Sequence, residues 1–202
     1  MSHPAFFDEV KGITQYDPLA EILGASDDGL LRYSYLDAVK LAGHSCPTVA
    51  GAYLMTRKAL ERLYPDSLPE RGNLRVEFGA EQDDGVTGVI ANVVSLITGA
   101  AGEGGFKGLG GRYGRRDLLR FGVGGEVQLR FTRIDTGAAV DVSYHPGTVP
   151  PSPEMSALLQ KILAGEANAD ERAEFGRLWQ LRVKRILIDH FDDPQLVGVS
   201  PL

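Results

Sequence analysis

Hydrophobic residues recur at helical spacing in two segments of the first half of the chain. Over 33–41 they predict a short helix, and from Pro47 to about Tyr64 they predict a longer helix that Pro65 terminates. Apolar and polar residues then alternate over 74–80, which is typical of a half-buried strand. Helices and strands are therefore mixed along this half of the sequence.

The middle of the chain continues this mixture. The spacing of apolar residues predicts a helix over 86–97, with an aspartate as its N-cap and Gly99 at its end. Two alternating runs, 127–131 and 140–144, flank a turn sequence and predict a β-hairpin.

Four prolines between positions 146 and 153 separate this region from the C-terminal part. Apolar residues over 155–163 and 175–187 mark two amphipathic helices. The predicted fold class is therefore α+β, with a mixed or antiparallel sheet packed with helices, followed by a C-terminal helical pair. We expect a domain over 1–150 and a helical extension over 151–202 that packs on the core or on a dimer partner.

Composition and charge narrow the class of protein. The chain has 202 residues, 43% of them apolar, which suffices for one domain with an extension. A net charge of -6 argues against a general binder of nucleic acid or of anionic membranes. No run of about 18 apolar residues is present, so no membrane span is expected. A single cysteine cannot form an internal disulfide, and no secretory signal pattern is visible, so we expect a cytoplasmic protein.

The segment from Gly43 to Thr48 carries the clearest chemical signal. It holds Cys46, the only cysteine of the chain, two residues after His44 and directly before a proline. Proline is common at a first helical position, so Cys46 is expected at the mouth of a helix, where free backbone N–H groups favour a thiolate. A thiolate beside an imidazole can bind a soft or borderline metal or attack an electrophile, and the alternative is a small buried residue.

Two carboxylates could complete a metal site. Asp83 and Asp84 precede the helix predicted over 86–97, so one of them is expected to cap that helix and either could act as a third ligand.

A second candidate region is rich in glycine and arginine. Eleven of the 25 glycines lie between Gly99 and Gly125, without the Gly-Lys-Ser/Thr ending of a phosphate loop. A mobile or tightly turning loop is one interpretation. The other is that the loop closes over a small anionic ligand through Arg112, Arg115 and Arg116.

The residues around Cys46 also carry a family resemblance. The run Asp37-Ala-Val-Lys-Leu-Ala-Gly43-His44-Ser-Cys46-Pro47 is similar to a His-Gly-His-x-Cys-Pro-Gly stretch, leading into a helix, of the FmdE family, which is named for formylmethanofuran dehydrogenase. Further segments resemble that family in the same order, and the resemblance covers residues 33–145.

This resemblance implies an α+β domain with a mixed sheet, a homodimer, a bound metal such as zinc, and an association with a molybdenum or tungsten enzyme. Of the family's ligands, His44 and Cys46 carry over. The sequence departs from the family pattern at Ala42, where a first histidine is usual, and at Asp84, near a position that is often cysteine. The helical pair stands in place of the zinc ribbon that ends some members.

Three functions are compatible with these observations. The first is a metal-binding accessory to a molybdenum, tungsten or other metal-cofactor redox system, with zinc held by His44, Cys46 and Asp83 or Asp84. The second is an enzyme in which Cys46 is the nucleophile or a metal-bound thiolate and His44 is the base, acting on a small substrate under the glycine-rich loop. The third is a dimeric interaction module without a site.

Overall fold

The protein is described by a computed structural model that covers residues 3–125 and 127–202. Within them, the strands are β1 Ile13–Tyr16, β2 Leu30–Tyr33, β3 Leu74–Phe78, β4 Leu119–Arg120, β5 Leu129–Arg133, β6 Ala139–Tyr144 and β7 Val197–Pro201. Five of them form a sheet with the order β4-β3-β5-β6-β7, in which β3 and β4 are parallel and the other neighbours antiparallel. A separate antiparallel pair, β1 and β2, lies near the N-terminus.

Helices pack with this sheet, so the α+β class with a mixed sheet is confirmed. The α-helices are α1 Pro18–Ile22, α2 Tyr35–Ala42, α3 Pro47–Leu63, α4 Thr87–Thr98, α5 Glu154–Leu163 and α6 Ala169–Lys184. Helix α3 is the centre of the packing, because it contacts α2, α4, α6, β6 and β7. Its buried residues join those of the strands in one apolar core, which explains why its sequence is apolar on more than one side.

Local sequence signals account for the start of α2. The side chain of Ser34 accepts a hydrogen bond from the backbone N–H of Asp37, and the Asp37 carboxylate accepts one from the Ser34 N–H. This capping box starts the helix at Tyr35, and Tyr33 belongs to β2 instead. The prediction of a helix from residue 33 was therefore two residues early.

The predicted aspartate N-cap of α4 was wrong. The helix begins at Thr87, its N-cap is Val86, and no side chain caps it. Instead, the backbone carbonyl of Asp84 accepts the N–H of Thr87 in a turn where Gly85 has a φ of 53°. A main-chain carbonyl thus supplies the acceptor for this N–H in place of a carboxylate, and the Asp83 and Asp84 side chains are exposed in the turn.

The C-terminal part follows the predicted pair of helices and then returns to the sheet. Helices α5 and α6 contact each other, α6 contacts α3, and a π-helical turn over Arg185–Asp189 extends α6. Strand β7 then pairs with β6, with Val199 opposite Val142. The division of the chain at residue 150 stays a prediction.

Candidate functional site around Cys46

Cys46 occupies the N-cap of α3. Its backbone is extended, Pro47 is the first helical residue, and its Sγ accepts a hydrogen bond from the backbone N–H of Val49 at 3.4 Å. The sulfur thus takes the place that an oxygen of Ser or Asp usually holds at a helix start. The residue is only 8% exposed, so its sulfur lies at the edge of the core.

His44 lies on the turn between α2 and α3 and is exposed. Helix α2 ends at Ala42, and Gly43, which caps it, has the left-handed conformation with a φ of 74° that turns the chain toward His44. The Nδ1 of His44 lies 2.9 Å from the carbonyl oxygen of Ala42. Because a carbonyl oxygen only accepts, Nδ1 carries the hydrogen, and the Nε2 of a neutral ring keeps its free lone pair.

Ser45, between these two residues, is held by side chains from distant parts of the chain. Its carbonyl oxygen accepts from the indole Nε1 of Trp179 at 2.9 Å and from the Nε2 of Gln180 at 3.2 Å. Its hydroxyl donates to the Oε1 of Gln180 at 3.0 Å and lies 2.9 Å from the hydroxyl of Tyr35. Since the hydrogen of Ser45 is used toward Gln180, the Tyr35 hydroxyl is the donor.

A second tyrosine fixes the other side of the turn. The Tyr144 hydroxyl, at the end of β6, donates to the carbonyl oxygen of Pro47 at 2.8 Å. Burial raises the pKa of both Tyr35 and Tyr144 above the usual value of a phenol, so both hydroxyls keep their hydrogen and remain donors. The turn that carries Cys46 is thus fixed by uncharged hydrogen bonds from α2, α6 and β6.

The carboxylates expected to complete a metal site are exposed in the turn before α4. Among the residues that the structure describes, no group of three or more His, Cys, Asp or Glu side chains could hold a metal ion. His145 is likewise exposed, with its Nε2 at 3.1 Å from the Oγ of Ser143. The ligand set proposed from the sequence stays a prediction, with His44 and Cys46 as its two neighbouring members.

The three arginines of the glycine-rich segment have different surroundings. Arg112 is exposed and its guanidinium lies 5.1 Å from the ring centre of Tyr113, whereas Arg116 is exposed beside Asp117. Arg115 is buried and donates from Nη2 to the Oδ1 of Asp17 at 2.7 Å. Arg115 therefore ties the segment to the N-terminal part of the fold.

Sequence reasoning did not find Asp17. The residue is only 2% exposed, and its carboxylate accepts hydrogen bonds from Arg115 and Arg71 and also caps α1 through the N–H groups of Leu19 and Ala20. The only local signal was the Asp-Pro pair at 17 and 18, which is typical of a helix start.

A depression on the outer face of the sheet has a volume of ≈ 540 Å³. Polar side chains of the four neighbouring strands β3, β5, β6 and β7 line it, with Arg130 and Asp141 joined by two hydrogen bonds of 2.7 and 2.8 Å across β5 and β6. Gly124 and Gly125, at the end of the glycine-rich segment, line one part of this depression, whereas His44, Cys46 and the three arginines do not.

Comparison with known families decides the identity of the chain. Residues 41–193 match the family described as "FmdE, Molybdenum formylmethanofuran dehydrogenase operon". The chain is a member of the FmdE family. The match begins just before His44 and Cys46 and ends beyond α6, so it includes both the turn and the helix that holds it.

No curated protein matches this FmdE-family protein. In the part of the chain that the structure describes, no helix is both long enough and apolar enough to cross a membrane.

Proposed function

We propose that this FmdE-family protein is a cytoplasmic accessory component of a formylmethanofuran dehydrogenase system and that it binds a divalent transition metal. His44 and Cys46 are two of the ligands, and zinc is the metal that their chemistry suits best. One nitrogen and one soft sulfur form a donor pair that zinc accepts, while calcium and magnesium prefer oxygen. The accessory role rests on the family membership, and the metal on the two side chains.

The orientation of the His44 ring carries this proposal. Metal-binding histidines usually donate their second ring N–H to a carbonyl or carboxylate, which fixes both tautomer and orientation. The contact from Nδ1 to the Ala42 carbonyl is of this kind, and it leaves Nε2 free on an exposed side chain. Two residues away, Cys46 Sγ is fixed at the N-cap of α3.

Two ligands do not complete a zinc site, because structural zinc is almost always four-coordinate. We propose that a second copy of the chain supplies the remaining ligands in a homodimer. Two-fold symmetry duplicates every residue at such an interface, so two turns would offer two sulfurs and two imidazoles. That set is one of the common structural zinc sites. Asp83 and Asp84 have no part in this arrangement.

Metal content beside molecular mass tests the proposal. Wild-type protein loaded with zinc and freed of excess metal is expected to retain about one zinc ion per two chains, in a dimeric species. Cys46→Ser and His44→Gln should each lose the tightly bound metal and keep the circular dichroism of the folded protein, because His44 is exposed and serine is itself a favourable residue at the N-cap that Cys46 occupies.

His145→Gln is the matched control, since it removes another exposed histidine of a turn. It should keep the zinc. Full zinc occupancy in Cys46→Ser would refute the proposal, and so would a wild-type protein that retains no metal.

The hypothesis that Cys46 is a nucleophile gives a different result in the same samples. A sulfur bound to zinc is protected from alkylation until a chelator removes the metal, whereas a free nucleophile is alkylated at one rate with or without chelator.

A further inference from the structure

Helix α6 reaches the Cys46 turn with two consecutive side chains. Trp179 and Gln180 both donate to the carbonyl oxygen of Ser45, so the two acceptor sites of that oxygen are filled. Neighbouring residues of a helix point about 100° apart, so the turn has to lie between the two side chains for both to reach one atom. Two hydrogen bonds to one carbonyl oxygen therefore fix the position of the turn relative to α6 more closely than a single hydrogen bond would.

Both polar atoms of the Gln180 side-chain amide form hydrogen bonds with Ser45. Its Nε2 donates to the Ser45 carbonyl, and its Oε1 accepts from the Ser45 hydroxyl. That hydroxyl in turn accepts from Tyr35, at the start of α2. A chain of hydrogen bonds therefore joins α6, the turn and α2, although Ser45 and Gln180 are 135 residues apart in the sequence.

From this geometry we infer that Trp179 and Gln180 are positioning residues for Cys46. They hold the Ser45–Cys46 peptide against α6 and thereby set how often the sulfur of Cys46, a residue that is only 8% exposed, becomes accessible. This inference rests on the proposed function in that the sulfur is the ligand to be positioned. Helix α6 thus controls the access of metal or of other reagents to Cys46.

The alternative is that these contacts only add to the overall stability of the fold. Local and global effects differ in their dependence on denaturant. A local opening exposes little surface, so the rate of thiol alkylation through it hardly changes with urea. The rate of alkylation through global unfolding rises steeply with urea.

The experiment measures the rate of Cys46 alkylation by iodoacetamide in chelator-treated, full-length protein at a series of low urea concentrations. The variants are Trp179→Phe, which removes the N–H donor and keeps an aromatic ring, and Gln180→Met, which removes both amide groups and keeps the length. Arg177→Gln is the control, because Arg177 lies on the same helix and pairs with Glu174 instead of Ser45.

Trp179→Phe is expected to react about fivefold to tenfold faster than wild type, the effect of losing about one ordinary hydrogen bond from a closed state, and Gln180→Met, which loses two, is expected to react at least as fast. The acceleration should be independent of low urea, and Arg177→Gln should react like wild type. Unchanged rates in both variants would overturn the inference, and so would an acceleration that rises with urea as steeply as global unfolding.

Zinc content separates this inference from the proposed function. If wild-type protein binds no metal but both variants react faster, the positioning role stands and the metal proposal fails. If wild-type protein binds zinc and the variants react at the wild-type rate, the metal proposal stands and the positioning role fails.

Discussion

Gly51 in α3 and Tyr144 at the end of β6 lie so close together that a side chain at position 51 would overlap the tyrosine ring. A Cβ built on Gly51 would come within 3.0 Å of three ring atoms of Tyr144. The same tyrosine donates its hydroxyl hydrogen bond to the Pro47 carbonyl, one turn earlier in α3. The absent side chain of Gly51 therefore allows β6 to approach the start of α3 and to fix the turn that carries Cys46.

Replacing Gly51 by alanine is expected to destabilise the protein, although alanine is the better helix former. Overpacking against a buried ring costs about 1–3 kcal/mol, and the gain in helix propensity offsets about 1 kcal/mol of that at most. Urea unfolding of Gly51→Ala should thus show a lower free energy of unfolding than wild type.

Gly176→Ala in α6 is the matched control for this change. A Cβ at Gly176 meets no atom within 4 Å, so only the propensity term remains and the variant should be more stable by about 0.5–1 kcal/mol. If Gly51→Ala were as stable as Gly176→Ala, the close approach of Tyr144 would not be a constraint on α3.

Arg115 is expected to contribute to stability, in contrast to the other arginines of its segment. In Arg115→Met the buried Asp17 carboxylate loses one of its two arginines, and losing a buried hydrogen bond between charged groups costs about 1.5–3 kcal/mol. The exposed Arg116 has no such role, so Arg116→Met should change the free energy of unfolding by less than about 0.5 kcal/mol. Equal effects of the two changes in urea unfolding would contradict the buried position of Arg115.

The chain should lose stability at alkaline pH because its buried tyrosines resist ionisation. Burial raises the pKa of Tyr64 to about 12, and it raises those of Tyr35, Tyr53 and Tyr144 further. The unfolded chain has ordinary phenols with a pKa of about 10, so it releases protons first. The resulting stability is complete below pH 10 and falls as the pH rises toward and beyond 12.

Ultraviolet absorbance of tyrosinate, followed beside circular dichroism, checks this expectation. Several of the seven tyrosines should ionise only together with the loss of structure. The free energy of unfolding of Tyr64→Phe should decline less steeply with pH, because one titrating group is absent. Ionisation of all the tyrosines near pH 10 in protein that is still folded would contradict the assigned burial.

Local patterns were sufficient to predict much of the fold. The apolar spacing of α3, the alternation in β3 and the hairpin of β5 and β6 are set by neighbouring residues, and all of them are present. Strand β7 was not predicted, because Val-Gly-Val-Ser-Pro holds only two apolar side chains beside a glycine and a proline, which are unfavourable in strands, and its partner β6 lies more than 50 residues earlier. The pair β1 and β2 was missed for a similar reason, since each strand has only four residues.

The surroundings of the site depend on contacts that a single sequence does not reveal. The position of Cys46 at the N-terminus of a helix could be predicted, because a proline follows it and proline is common at the first helical position. The hydrogen bonds from Trp179 and Gln180 to Ser45 span more than 130 residues, and the pair of Arg115 with Asp17 spans 98. The local spacing of these residues does not reveal which distant residue each of them contacts.

Anomalous diffraction at the zinc absorption edge, from crystals grown with zinc, tests the central claim most directly. We expect one strong peak at about 2.3 Å from Cys46 Sγ and about 2.0–2.1 Å from His44 Nε2, with the same two atoms of a second chain completing the tetrahedron. A peak held by other side chains, or zinc-saturated protein with no peak at Cys46, would contradict it.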